Sequence, residues 1–327
     1  MTTLITGATG LLGNNVARSL LAEGEAVRVL VRPQTTLESL EGLNVEILRG
    51  ELEDLAAVQQ ACRGVRCVIH SAAWVGIGWS QKSIAERANV LGTRNICRAI
   101  GDQETRLLHV STVDTLPAAS EPTKPVDEQG EGMKVPCTYV TTKREAEQVV
   151  REEMSSGLDA VILHPGFMLG PWDWKPSSGR MLLEVVRRFT PVAPAGGCSA
   201  CDVRDVTAGV LSAREAKRGA RYILAGHNVS YQELWSQFCD VVGQGSKPWM
   251  RAGPLLRVTG GACGDLLYRI TGREPDLNSA AVRMSSLYNY YDSGHAERDL
   301  KYRIRPLEES IRSAWDWFVE YGYAPGQ

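Results

Sequence analysis

No stretch of about eighteen consecutive apolar residues occurs in this 327-residue chain, which argues against a membrane span. Neither sign of charge dominates. The 36 lysines and arginines face 38 aspartates and glutamates, a formal net charge of −2. A balance so near zero points to neither nucleic acid nor an acidic membrane surface as partner. The five histidines are scattered and no H-E-x-x-H occurs. Cys198-x-x-Cys201 has no second pair and no nearby histidine, so no metal site is expected. The chain enters a β-rich run at once, with no charged region ahead of an apolar one. We therefore expect no secretory signal and a cytoplasmic location, where the eight cysteines stay reduced and serve packing. Internal repeats and low-complexity tracts are also missing.

The pattern that is present is alternation. Candidate strands lie at 3–6, 27–32, 45–49, 67–71, 107–111 and 160–164, with candidate helices at 10–23, 55–62, 84–100 and 139–156. The strands are apolar on both faces, as in a sheet covered by helices on each side. Such order implies right-handed βαβ units and a doubly wound, parallel α/β sheet of the Rossmann kind. After His164, prolines at 165, 171, 176, 191 and 194 break the pattern. Helical stretches at 179–189, 231–242, 255–270 and 307–321 follow, with one strand, 221–224, free to return to the sheet edge. We expect a nucleotide-binding domain over 1–165 and a smaller, mostly helical substrate lobe over 166–327. The cleft between them should lie at the carboxyl ends of the strands.

Met1 to Gly13 read M-T-T-L-I-T-G-A-T-G-L-L-G, a strand, a glycine turn and the start of an amphipathic helix. Gly7 allows the turn, Gly10 lets a pyrophosphate approach bare backbone, and Gly13 lets helix and strand pack closely. The helix start offers free N–H groups and the positive end of a dipole. Farther on, Tyr139-Val140-Thr141-Thr142-Lys143 puts a phenol and an ammonium on one helix face. A nearby ammonium favours phenolate, so the pair could exchange a proton with a hydroxyl or carbonyl oxygen. Ser111 and Thr112 end a strand where ligands bind in open α/β sheets.

Taken in chain order, these features resemble the short-chain dehydrogenase/reductase superfamily, and more closely its extended type. T-G-A-T-G-L-L-G matches the extended-type glycine motif. His70-Ser71-Ala72-Ala73 matches the H-x-A-A segment, and Asn89-Val90-Leu91-Gly92-Thr93 the N-x-x-G-T helix. His164-Pro165-Gly166, Gly170-Pro171 and Asp202-Val203-Arg204-Asp205-Val206 match later motifs. Thr271-Gly272-Arg273-Glu274-Pro275 looks like the dihydroflavonol reductase-like branch, which includes hopanoid-associated sugar epimerase-like proteins.

The resemblance implies a catalytic set of Thr112, Tyr139 and Lys143. Tyr139 would donate or accept the proton. Lys143 would hold the nicotinamide ribose and lower the tyrosine pKa. It also implies cofactor contacts from Gly7, Thr9, Gly10, Leu11, Leu12 and Gly13 in the turn, and from Glu51, Leu52, Ser71, Ala72 and Ala73 at later strand ends. Pro165, Gly166 and Met168 would complete that set. Two departures stand out. Thr112 occupies a position where the family usually has serine, and Glu51 one where it usually has aspartate.

Arg32 ends the second strand where NAD enzymes tend to place an acid, and a guanidinium suits a 2′-phosphate. NADP is thus the expected cofactor, with NAD the alternative. Trp74 and Trp79 follow the fourth strand, and Trp172, Trp174 and Arg180 follow Gly170-Pro171. Both loops should face the cleft, so these five are the substrate candidates. The expectation is an NADP-preferring oxidoreductase acting on a small carbonyl or secondary alcohol, with a homodimer allowed for. A nucleotide-sugar epimerase or dehydratase is the second reading, and an NADP-sensing regulator the third.

Overall fold

The computed structural model describes residues 2–101 and 103–325. In chain order it runs β1 (Thr2–Thr6), α1 (Leu11–Ala22), β2 (Ala26–Val31), β3 (Val45–Arg49), α2 (Leu55–Cys62) and β4 (Cys67–His70). Then α3 (Lys82–Ala85) passes through a π-helical stretch, Glu86–Leu91, into α4 (Gly92–Ile100), β5 (Arg106–Val110), α5 (Thr138–Ser155) and β6 (Ala160–Pro165). The remainder comprises β7 (Phe167–Leu169), α6 (Gly179–Arg187), β8 (Val192–Ala193), β9 (Gly197–Asp202), α7 (Val203–Ser212), β10 (Arg221–Leu224) and β11 (His227–Ser230). Last come α8 (Tyr231–Val242), β12 (Met250–Arg251), α9 (Pro254–Thr271), α10 (Ser279–Met284), β13 (Tyr288–Asn289), α11 (Gly294–Leu300) and α12 (Leu307–Glu320).

Seven parallel strands form the main sheet in the order β10-β6-β5-β4-β1-β2-β3. The order turns around at β1, so β1 and β4 flank the switch point where open α/β sheets bind ligands. Apolar strands bury both faces. Ile5, Val29 and Ile69 join one core cluster and Leu4, Leu30 and Val68 the other, as alternating side chains must. The strand expected at 221–224 rejoins the edge beside β6.

Differences from expectation are local. The helix expected at 84–100 starts at Lys82 and carries the π-helical stretch. The C-terminal lobe is less helical than expected, because β11, β9 and β13 form a second sheet and β7 pairs with β9. β9 reads G-C-S-A-C-D, small residues with little strand propensity, yet all six are buried. The helix α7 follows directly, its first turn capped by the Asp202 carboxylate accepting from the Arg204 N–H.

Candidate active site

Gly7 has φ +80°, and a side chain there would lie 2.7 Å from the Ala72 nitrogen. A Cβ on Gly13 would collide with the Gly7 carbonyl oxygen. Both glycines are therefore required by the fold. Gly10 differs, since the nearest atom to a Cβ there is the Gly7 oxygen at 3.4 Å. Packing alone does not demand glycine at 10. Gly10 caps α1 with no side-chain hydrogen bond, and the first turn holds no acidic residue. The N-terminus of α1, where Gly10 is exposed, thus presents N–H groups and positive potential, which fits a dinucleotide pyrophosphate. Thr9 lies in the same turn.

Neighbouring strand ends complete this rim. The Ser71 hydroxyl donates to the Thr6 carbonyl at 2.8 Å, setting Ser71, Ala72 and Ala73 against the glycine turn. Arg32 is exposed directly after β2, and Arg49 tethers the following turn by donating to the Pro33 carbonyl at 2.6 Å. The Leu52 carbonyl accepts from the Asn95 amide at 2.9 Å, which fixes the loop carrying Glu51. Asp54, the nearby aspartate, is engaged in capping α2. Pro165 ends β6, and Gly166 follows where a Cβ would lie 2.5 Å from the Ser199 oxygen. The Met168 carbonyl accepts from the Ser178 hydroxyl at 2.5 Å.

Thr112 is extended two residues after β5, and its hydroxyl accepts from the Asp114 N–H at 3.2 Å. It also faces the Tyr139 phenol, so the two hydroxyls share one spot. Ser111 is turned away, donating to the Glu147 carboxylate at 2.9 Å. Glu147 also takes a hydrogen bond from Thr115 at 3.1 Å; against the cost of burial, a hydrogen bond from His164 at 3.0 Å and the pairing with Arg151 hold its carboxyl well below the usual range. Ser111 therefore belongs to a buried structural network.

Lys143 does not act on Tyr139 as expected. Its ammonium donates to the Val110 carbonyl at 2.8 Å, and burial pulls its pKa down to about 8 against the attraction of Glu147. The Tyr139 phenol is raised, first by burial and then by the Asp114 charge, while the Thr112 hydrogen bond pulls the other way. Desolvation of a phenolate outweighs a cation directed elsewhere. Burial at Tyr139 thus favours the neutral phenol.

The five substrate candidates separate. Trp74 joins Tyr139, Val135, Cys137, Val140, Ala280 and Met284 in one apolar cluster. Trp79 is fixed by its indole N–H donating to the Ser279 hydroxyl at 2.8 Å, and its backbone N–H donates to Glu274 at 2.7 Å. Trp172 and Trp174 instead pack on α12. The Trp174 ring centroid lies 5.4 Å from Trp317 and 5.0 Å from Tyr321, and Arg18 of α1 covers Trp172 at 3.3 Å. Trp172 is taken up between α12 and α1, and Trp174 by contacts within the lobe. Arg180 pairs with Asp276 at 3.1 Å on the surface.

A pair unmarked in the sequence stands beside the phenol. Lys134, its side chain fully buried, donates to Asp114 at 2.8 Å. Its ammonium is 5.0 Å from the Tyr291 ring. Twenty residues and a loop separate the partners, and no local motif announces them. Among the described residues, no cluster of three His, Cys, Asp or Glu side chains is placed to hold a metal ion. Nor is any helix there long and apolar enough to cross a membrane.

Comparison with known proteins agrees with this architecture. Residues 3–223 match the model of the NAD dependent epimerase/dehydratase family. The chain is 31% identical to a putative dihydroflavonol 4-reductase of Synechocystis, over 99% of this chain and 96% of that one. It is also 31% identical to sterol demethylase protein B of Methylococcus capsulatus, over 98% and 99%. Among solved structures, gox2253 superposes with TM-score 0.85 at 30% identity, covering 98% of each chain. A nucleoside-diphosphate-sugar epimerase from Pseudomonas aeruginosa gives 0.79 at 25%, covering 99% of each. The glycine turn, the seven-stranded sheet and this match over two thirds of its length make the chain a member of the NAD dependent epimerase/dehydratase family, an NAD(P)-dependent oxidoreductase of the extended short-chain dehydrogenase/reductase type.

Proposed function

We propose that the protein is a carbonyl reductase that prefers NADP and acts on an apolar, ring-bearing ketone. The observation that carries this reading is the placement of Tyr139: a buried phenol facing Thr112 and walled by Trp74, Val140, Ala280 and Met284. A neutral phenol gives a proton, which is what a carbonyl oxygen needs as its carbon is reduced. The nicotinamide supplies the hydride for that carbon. Thr112 donates a hydrogen bond to the same oxygen and places it against Tyr139. Lys143, anchored on Val110, holds the ribose. The α1 N-terminus and Gly10 take the pyrophosphate, and Arg32 reads the 2′-phosphate.

Two further points favour a reductase over a sugar epimerase. The apolar wall suits a ring better than a sugar, in keeping with the names of the two relatives, a dihydroflavonol 4-reductase and a sterol demethylase protein. Two basic residues that could have met a diphosphate, Arg180 and Arg188, are paired with Asp276 and Glu184. The test is stoichiometry on a panel of cyclic ketones and nucleotide sugars. A reductase consumes one NADPH per ketone converted, read as loss of nicotinamide absorbance. Turnover of a nucleotide sugar with no net loss of NADPH would overturn the proposal.

A further inference from the structure

We propose that α9 and its flanks form a docking surface for an anionic lipid bilayer. Eighteen residues long, α9 buries only Gly261 and Gly264. Those two glycines seat the helix on residues 277–279, where a Cβ on Gly264 would strike the Leu277 oxygen and one on Gly261 would lie 3.1 Å from Ser279. The opposite side carries Leu255, Val258, Ala262, Leu266 and Ile270. Their spacing of three or four residues makes one continuous stripe. A helix on a globular protein normally turns such a stripe inward. Here exposure runs from 57% at Leu266 to 78% at Leu255, and Trp249, at 76%, extends the patch. An apolar face this large on a soluble chain marks an interaction site.

Charge selects the occupant. Residues 248–273 contain Arg251, Arg257, Arg269 and Arg273 but a single acid, Asp265, which accepts a hydrogen bond from the Ser279 N–H at 3.0 Å, while Lys247 just before them is paired with Asp240. The chain's overall charge of −2 conceals this local excess of cations. Basic residues bordering Trp and Leu on an exposed amphipathic helix suit the headgroup and acyl boundary of an anionic bilayer. A second copy is a poorer partner, because an isologous interface would set the cations against themselves. Position adds a consequence. The helix rests on the segment leading into α10, whose Ala280 and Met284 contact the Tyr139 cluster. Docking would set the site one helix away from the lipid phase.

The test uses the full chain and needs no substrate, so its outcome is separate from that of the proposed reductase activity. Sedimentation with mixed phosphatidylcholine–phosphatidylglycerol vesicles is compared with pure phosphatidylcholine. Wild type should pellet with the anionic vesicles, and high salt should weaken the binding. Arg269→Gln with Arg273→Gln should weaken it about 20- to 30-fold, since each basic residue near such a surface contributes roughly 1 kcal/mol. Leu266→Glu with Ile270→Glu should abolish it. Both side chains are exposed, so circular dichroism and melting temperature should stay at wild-type values. Absence of binding to anionic vesicles, or binding undiminished in the variants, would refute the proposal. So would a wild-type dimer split by the glutamate pair in sedimentation equilibrium, which would assign the face to a second copy.

Discussion

The Ser111 hydroxyl donates to Glu147 at 2.9 Å, inside the protein, while the adjacent Thr112 hydroxyl faces Tyr139. Two neighbouring hydroxyls at one strand end therefore have different work. Thr112→Ala should lower turnover with little change in melting temperature. Ser111→Ala should do the reverse, because it removes a hydrogen bond from a buried carboxylate, costing about 1.5–3 kcal/mol. Tyr139→Phe should lower kcat by roughly 100- to 10,000-fold with the fold intact. Steady-state kinetics and thermal melts on the three variants check the assignment, and normal turnover in Tyr139→Phe would defeat it.

Arg32 should account for cofactor choice. A charge-assisted hydrogen bond to the 2′-phosphate contributes roughly 1.5–3 kcal/mol, about 10- to 100-fold in Kd. Arg32→Ala should weaken NADPH by that factor and leave NADH almost unchanged, as titration calorimetry can measure. Equal affinities in the wild type would remove the basis for this role.

Lys143 should impose a pH limit. Its value near 8 lies below the ordinary 10.5, so the ammonium is lost as pH rises through about 8. Activity should fall on that side, and Lys143→Met should be inactive at every pH. The stability effect has the opposite sense. The unfolded chain holds the Lys143 proton more tightly, so burying the ammonium opposes folding in full below about 8 and progressively less up to 10.5. Lys143→Met should thus melt above wild type at neutral pH, by a margin that shrinks as the pH is raised.

Asp114→Asn should destabilise the protein by about 3–5 kcal/mol, because it strands the buried Lys134 ammonium. Adding Lys134→Met should restore most of that loss. The carboxylate also raises the Tyr139 phenol, so in both variants the phenol should titrate at lower pH. Denaturant melts and pH–rate profiles would show these effects, and additive losses in the double variant would contradict the pairing.

Trp74 and Trp174 should respond differently. Trp74→Ala should raise KM, since that ring stands in the Tyr139 cluster. Trp174→Ala should leave KM near wild type and cost up to about 3–5 kcal/mol of stability, since its ring packs on α12.

That contrast shows what a linear sequence can carry. The glycine turn and the main strands were legible because each is local: glycines at fixed offsets and apolar runs of strand length. Tyr139 and Lys143, one helical turn apart, were legible for the same reason, as was the strand end at Thr112. Trp74 and Trp174 looked alike because both lie in loops expected to face the cleft, and only packing distinguishes them. Asp114 and Lys134 were invisible because a loop joins them. β9 was hidden by its small residues, whose burial comes from neighbours on both sides. The direction of the Lys143 ammonium depends on the Val110 carbonyl, which no side-chain pattern encodes.

The amide of Asn15 donates to the Pro171 carbonyl at 2.9 Å, and Arg18 lies over Trp172 at 3.3 Å. The helix that begins at the glycine turn is thereby fastened to the lobe. Val203, Val206, Tyr222 and Leu224 sit in the same core cluster as Ile5 and Ile69. A gene fragment ending at residue 165 would therefore yield a sheet lacking its outer strand and part of its interior, with no cover for α1. The smallest piece that can be expressed, labelled or fused as an independent module is close to the whole chain, and heat should melt it in one cooperative step.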